Sequence, residues 1–432
     1  MIQLDYFIDS HCHLFTIADV PLMETIRHAK KELQHPLFML LMPMLPFMSL
    51  EKYKPFINFF ESEPEQNVKR LCRELKAALK TQQIEPDNII ITPLIMDFDM
   101  NGKVTKLDGQ ITRLVEAVKK QTAVKILPFL GIDPRKFVYD TNKPVFDKET
   151  IRAKIDAFLS RYNMKSRDER TNPQNLKSGD IIGVKLYPPL GFKVYQTDEA
   201  DRAAFNIVYE EFLLRDIPVT VHCQEDSFAL TENHTETVLF TRADNWVKVF
   251  SVKPPDLSGL RINFGHFGGE KGVASTIKWK EEIGYDPTSC MEDGPNYIVD
   301  QRVNKGGWTY KLISLLKKHP NTYADISAYD FKNAQDAARL MWVLAFDRAG
   351  KFNDLGQHNL EDKLLWGSDY PMILDQKKYP NYSYYFSSFV KVINGDIEGL
   401  ENHTSPDSRQ LPPANELLKK LVWYNPKKFL FE

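Results

Sequence analysis

The chain has 432 residues, 43% of them hydrophobic and 26% charged, with 56 basic against 58 acidic side chains and a formal net charge of -2. That balance describes a globular chain with a sizeable core and excludes a surface field that would recruit nucleic acid or an anionic membrane. Cys12, Cys72, Cys223 and Cys290 form no C-x-x-C pair, and Met1-Ile2-Gln3-Leu4-Asp5 has neither a basic region nor an apolar signal core, so a reducing, cytoplasmic setting is expected.

The first apolar run, Phe7-Ile8-Asp9-Ser10-His11-Cys12-His13-Leu14-Phe15, reads as a strand ending in two histidines. Strand side chains alternate between faces, so His11 and His13 share a face and Cys12 points away. Two imidazoles on one rigid edge make half of a metal site, a weak signal alone in a chain with ten histidines. A long insertion follows over 16–88. Its most apolar window, 36–50, holds Pro36, Pro43 and Pro46 and is too short to span about 30 Å of hydrocarbon, so it reads as a lid, a buried segment or an oligomer surface. The insertion ends in a helix over 67–83, with Val68, Leu71, Cys72, Leu75, Ala78 and Leu79 at helical spacing.

Apolar runs and amphipathic stretches then alternate. Strands are predicted at 89–97, 124–132, 181–187, 217–223, 261–267, 322–326 and 364–368. Helices are predicted at 110–121, 150–162, 199–215, 308–318 and 336–346. Most of these strands are continuously apolar, the pattern of parallel strands covered on both faces. Eight strands alternating with helices, without linker or repeat, predict an α/β chain folded as a single (β/α)8 TIM barrel over 1–432, with the long helical insertion after strand one. A doubly wound open sheet is the alternative, but it calls for a glycine-rich phosphate turn where the histidines stand.

In such a barrel the chemistry sits at the C-terminal ends of the strands. There the sequence places Lys185 and Tyr187 on strand four, His222 on strand five, His266 on strand six and Asp369 on strand eight. Each has an ordinary reading: a hydrogen-bonded structural histidine, a capping aspartate, a snorkelling lysine. One metal centre in the barrel mouth accounts for His11, His13, His222, His266 and Asp369 together. The other histidines, His28, His35, His234, His319, His358 and His403, are expected at the surface.

The order H-x-H, Lys, His, His, Asp on strands one, four, five, six and eight resembles the amidohydrolase superfamily. Asn245-Trp246, Gly265-His266-Phe267-Gly268-Gly269, Tyr323-Ala324-Asp325-Ile326-Ser327 and Gly367-Ser368-Asp369-Tyr370-Pro371 are similar to its amidohydrolase-related branch. That branch holds hydrolases and decarboxylases of the aminocarboxymuconate-semialdehyde type. The resemblance implies that His11, His13, His222 and Asp369 bind a divalent metal, with zinc favoured. Asp369 would move protons, and His266 would hold or polarise the group attacked. It also makes Lys185 the divide between one metal and two, since a carbamylated lysine there bridges a pair of ions in many members, whereas a free lysine would bind a substrate carboxylate.

Tyr187, Arg242 and Arg302 are candidate substrate contacts, an arginine fork suiting a carboxylate. Asp99, Asp133 and Arg135 are weaker candidates that could equally order a loop. The expected partner is a small-molecule substrate, with a homo-oligomer possible. Three functions stand: hydrolysis of an amide, ester or lactone, non-oxidative decarboxylation of an unsaturated or aromatic acid, and a ligand-binding barrel without catalysis.

Overall fold

The computed structural model describes residues 1–16, 19, 54–98, 106–119, 123–140, 143–145, 147–224, 239–277, 303–396 and 411–432. Nine strand segments carry the architecture: β1 (Ile2–Cys12), β2 (Ile84–Pro93), β3 (Lys125–Ile126), β4 (Phe129–Ile132), β5 (Gly183–Leu186), β6 (Val219–Gln224), β7 (Ile262–Gly268), β8 (Thr322–Asp325) and β9 (Leu364–Leu365). Their pairings are all parallel, in two sheets of order β1-β2-β3 and β9-β8-β7-β6-β5-β4. β3 and β4 are the halves of the strand predicted at 124–132. They part at Leu127-Pro128, where proline offers no N–H to a ladder.

Bridges link the two sheets at both ends. Leu94 pairs with Phe129, and Cys12 pairs with Tyr370. Around the second contact Ser10 N donates to Trp366 O at 3.0 Å, His13 N to Tyr370 O at 2.6 Å and Asp369 N to His11 O at 2.7 Å. The segment after β9 therefore lies directly against the H-x-H edge.

Among the described residues, helices that flank the strands include α1 (Pro64–Thr81), α2 (Lys106–Lys119), α3 (Lys148–Arg161), α4 (Glu199–Leu214), α5 (Ala243–Ser251), α6 (Trp308–Lys318), α7 (Ala334–Arg348) and α8 (Tyr382–Asn394). Local chemistry starts several of them, with Asp147, Asp198, Asn333 and Asn381 each accepting from first-turn N–H groups. α1 buries the apolar face its sequence spells, Val68, Leu71, Cys72, Leu75, Ala78 and Leu79. It packs on α8, where Tyr382 N donates to Glu74 Oε2 at 2.9 Å and Ser383 Oγ to Glu74 O at 3.0 Å.

Two strand boundaries differ from expectation for identifiable reasons. β2 starts at Ile84 rather than residue 89, because Glu85, Pro86 and Asn88 pair in register with Gln3, Leu4 and Tyr6 despite their weak strand propensity. β9 stops early because Trp366 N turns away to Leu421 O at 2.7 Å.

The short C-terminal helix Asn425–Phe431 packs Phe429, Leu430 and Phe431 among Ile8, Ile90, Leu127, Phe129, Ile182, Tyr323 and Leu365, and so plugs one end of the strand array with apolar side chains. Arg170 Nη1 donates to Leu430 O at 3.1 Å and Arg261 Nη1 to Lys428 O at 2.7 Å, which ties down that helix. His319 was expected at the surface. It is instead buried and stacked on Phe250 of α5, with ring centroids 4.6 Å apart, because it ends α6 against that helix. His358 is half-buried, and His28, His35, His234 and His403 lie outside the described residues. So does the apolar window 36–50. No helix among the described residues is long and apolar enough to cross a membrane.

Candidate metal centre

β1 delivers His11 and His13, β6 His222, β7 His266, and the segment after β9 Asp369. The backbone is forced at two of these strand ends, with His266 at φ 68° and Asp369 at φ 55° in the left-handed region that side chains other than glycine seldom occupy. Gly367 is needed for the approach of β1, since a Cβ there would stand 2.6 Å from the Cβ of His11.

Three atoms converge. His11 Nε2 lies 3.4 Å and His13 Nε2 3.3 Å from the same oxygen, Asp369 Oδ1. His11 Nε2 and Asp369 Oδ1 are buried and have no hydrogen-bond partner among the described residues. The far nitrogen of each ring is engaged: His13 Nδ1 meets Leu94 O at 2.9 Å and His11 Nδ1 meets Asp325 Oδ2 at 2.9 Å. A carbonyl and a carboxylate only accept, so both Nδ1 atoms carry the proton and both Nε2 atoms carry a lone pair.

Burial holds the His13 ring below its ordinary pKa, while His13, His266 and His11 hold the Asp369 carboxyl below its own despite burial. His11 Nε2, His13 Nε2 and Asp369 Oδ1 thus face one point, and these imidazole and carboxylate donors suit a divalent ion.

His222 is not part of this group of three. Its Nδ1 lies 3.1 Å from His266 Nε2, and its ring faces Tyr187 at 4.8 Å between centroids. His266 Nδ1 lies 2.9 Å from Ser327 Oγ, so both of its ring nitrogens are engaged inside the cluster. In this arrangement His266 faces His222 through Nε2 and Ser327 through Nδ1. Burial pushes its pKa down to about 4, so the ring is neutral.

Two residues given no role by the sequence reading organise this network. Asp325 is fully buried and accepts from Asn263 Nδ2 at 2.7 Å, His266 N at 3.0 Å, Ser327 N at 3.2 Å and the Ser327 hydroxyl, besides His11. A carboxylate closing an apolar strand, Thr322-Tyr323-Ala324-Asp325, was the signal available for it. Asp9 likewise accepts from Ser368 N and Tyr382 OH, both at 2.9 Å, and pins the strand-eight end to β1.

Lys185 sits on β5, is 2% exposed, and its Nζ has no hydrogen-bond partner among the described residues. Burial lowers its pKa to about 8, against the pull of Asp325 and Asp369. Tyr187 joins Phe15, Met96 and Leu190 in a small apolar group against which Phe60, from the insertion, and Phe98 pack. Phe15 stands 5.4 Å from the His13 ring and 5.1 Å from Phe60.

Arg242 lies at the start of a helix. It precedes α5, pairs with Asp244 at 3.0 Å and lies over Trp308 at 5.4 Å. Arg302 and Asp99 lie outside the described residues. Asp133 and Arg135 order a loop, Arg135 gripping the carboxylate while reaching the carbonyls of Leu190 and Gly191.

The amidohydrolase family model matches residues 182–431, more than half of the chain. The chain belongs to the amidohydrolase family. The matched span of this amidohydrolase carries Lys185, His222, His266, Asp325 and Asp369, and the family implies a metal-dependent, hydrolase-like enzyme. No curated protein matches the chain significantly.

Among solved structures, a putative amidohydrolase from Staphylococcus aureus aligns at 11% identity and TM-score 0.42, covering 98% of this chain and 99% of the other. The 4-oxalomesaconate hydratase of Rhodopseudomonas palustris aligns at 13% and 0.45, covering 98% and 95%. A zinc-bound amidohydrolase from Burkholderia multivorans aligns at 10% and 0.42, covering 99% and 100%.

Proposed function

We propose that this amidohydrolase is a metal-dependent hydrolase that cleaves an amide, ester or lactone bond of a small substrate bearing a carboxylate. The observation that carries the reading is the convergence of His11 Nε2, His13 Nε2 and Asp369 Oδ1 with both far ring nitrogens engaged. His222, at the end of β6, would be the fourth ligand. The strands close into one (β/α)8 barrel over 1–432. In support, β1 to β9 run parallel, and the Leu94–Phe129 and Cys12–Tyr370 bridges join the two sheets at both ends.

A divalent ion held there, zinc by the preference of neutral imidazole, supplies Lewis acidity and a water acidic enough to ionise near neutral pH. The remaining work falls to the chain. Asp369 takes the proton of the attacking water at its carboxylate and returns it to the leaving group. Lys185, a buried amine with no partner, receives the substrate carboxylate as a compensating charge. Phe15, Met96, Tyr187 and Leu190 flank the site with apolar surface, which excludes water and strengthens that attraction.

The test has two parts. Metal content per chain should be one ion, lost in Asp369→Asn, with an intact mass free of carbamate on Lys185. Two ions with the carbamate would replace the mononuclear reading. A panel of lactones and amides is then set against hydroxybenzoates. Acid release supports hydrolysis, carbon dioxide release turns the reading to decarboxylation, and turnover of neither by metal-replete protein leaves a ligand-binding barrel.

A further inference from the structure

Tyr382 opens α8, a helix that flanks the strands, and is nevertheless fully buried. Its hydroxyl is engaged on both sides, accepting from Trp366 Nε1 at 3.2 Å and donating to Asp9 Oδ2 at 2.9 Å. The other oxygen of Asp9 accepts from Ser368 N at 2.9 Å and from His11 N at 3.2 Å. One buried carboxylate thus joins α8 to the H-x-H edge and to the segment that carries Asp369.

That junction stands where the backbone needs holding. Asp369 has φ 55°, a state that residues other than glycine keep only where their surroundings impose it. Two successive amides are fixed there, Ser368 N on Asp9 Oδ1 at 2.9 Å and Asp369 N on His11 O at 2.7 Å. The second bond runs from backbone to backbone, but the first ends on a side chain that can turn about its own bonds. Tyr382 holds the far oxygen of that side chain, so Asp9 keeps its face to Ser368.

Helix α8 is itself anchored. Glu74 of α1 takes Tyr382 N on its carboxylate at 2.9 Å and Ser383 Oγ on its carbonyl at 3.0 Å. The same helix carries a built-in comparison. Tyr385 is equally buried and packs on Trp366 with ring centroids 5.7 Å apart, yet its hydroxyl has no hydrogen-bond partner among the described residues. Of the two phenols, Tyr382 has the link to Asp9.

We propose that Tyr382 is a positioning residue that, through Asp9 and the Ser368 amide, holds Asp369 Oδ1 in place against His11 and His13. The proposal rests on the metal reading above for its purpose, whereas the clamp itself belongs to the metal-free chain. Its members are residues 9, 368 and 382, so no local pattern in the sequence announces it.

The test uses the full chain and two readouts: zinc affinity by chelator competition and, without metal, hydrogen exchange at the Ser368 amide. Tyr382→Phe keeps the ring and removes the clamp. It should weaken zinc binding roughly 10- to 100-fold and speed the exchange roughly 10-fold. Tyr385→Phe should alter neither. In an Asp9→Ala background, Tyr382→Phe should add no further loss, because its effect passes through that carboxylate. A merely structural tyrosine would lower the melting temperature and leave both readouts where they were.

Wild-type affinity and exchange in Tyr382→Phe overturn the proposal, and so do equal losses in Tyr385→Phe. If Tyr382→Phe fails to fold, Glu74→Ala, which frees the same turn of α8, decides in its place, and unchanged readouts there overturn the clamp. A wild type that takes up no zinc, with exchange at Ser368 still answering to Tyr382→Phe, sinks the metal reading and upholds the clamp.

Discussion

Lys185 and Lys317 are both buried, at 2% and 1% exposure, yet their surroundings are opposite. Lys317, at the end of α6, donates to Asp347 and to His358 O at 3.0 Å, while the other oxygen of Asp347 accepts from Leu360 N at 2.6 Å. Lys185, on β5, has no hydrogen-bond partner. Burying an unpaired amine costs free energy that folding alone does not return. The completed pair therefore joins α6 to α7 and to the loop at His358–Leu360, whereas the Lys185 amine, with no hydrogen-bond partner among the described residues, fits the substrate-binding part proposed for it.

The largest expected effect lies on the ligand side of this contrast. Asp369→Asn should keep the fold but lower turnover of an identified substrate about 10²- to 10⁴-fold, the usual worth of a positioned acid–base group. Steady-state rates beside a thermal melt check it, and near-normal turnover would remove Asp369 from the chemistry.

The two lysines should answer the same substitution oppositely. Lys317→Met strands Asp347 and should cost about 3–5 kcal/mol in urea unfolding. Lys185→Met should leave stability unchanged or raise it. Equal losses at both would erase the distinction drawn between them.

Zinc at about 100 times its dissociation constant should stabilise the metal-free chain by about 2.7 kcal/mol, read as a rise in melting temperature. That rise should vanish in His13→Ala and survive in Lys185→Met.

Gly367→Ala pushes a methyl group toward His11 Cβ and should cost about 1–3 kcal/mol together with weaker zinc binding, again by unfolding and chelator competition.

The smallest effect is one of pH at another satisfied lysine. Lys363 donates to the carbonyls of His319 and Pro320, and burial lowers its pKa to about 8 against an ordinary value of 10.5. Between these values the unfolded chain holds more protons than the folded one, so this group's contribution to stability rises with pH across that window. Lys363→Met should flatten that part of the stability profile.

The sequence pointed to His11, His13, His222, His266 and Asp369, because each closes an apolar run where a strand ends and the two first-strand histidines share a face, and folding brings His11, His13 and Asp369 together. It also reported the alternation of strands and helices and the apolar face of α1, since a period of two or 3.6 is written locally. Lys185 could be named, but not its isolation, which depends on every neighbour that fails to reach it.

Tertiary structure alone decided the rest. His266 carries the same strand-end signature as His222, yet folding engages both its nitrogens, one with Ser327 and one with His222. Arg242 had a plausible fork and was taken by Asp244 and Trp308. Asp325, Ser327 and the C-terminal plug went unassigned because their partners lie across the chain, His11 being 314 residues from Asp325. Residue type and spacing along a strand fix which groups can point into a site. Which nitrogen carries the proton, and which charge is left without a partner, is set only by contacts that bring distant segments together.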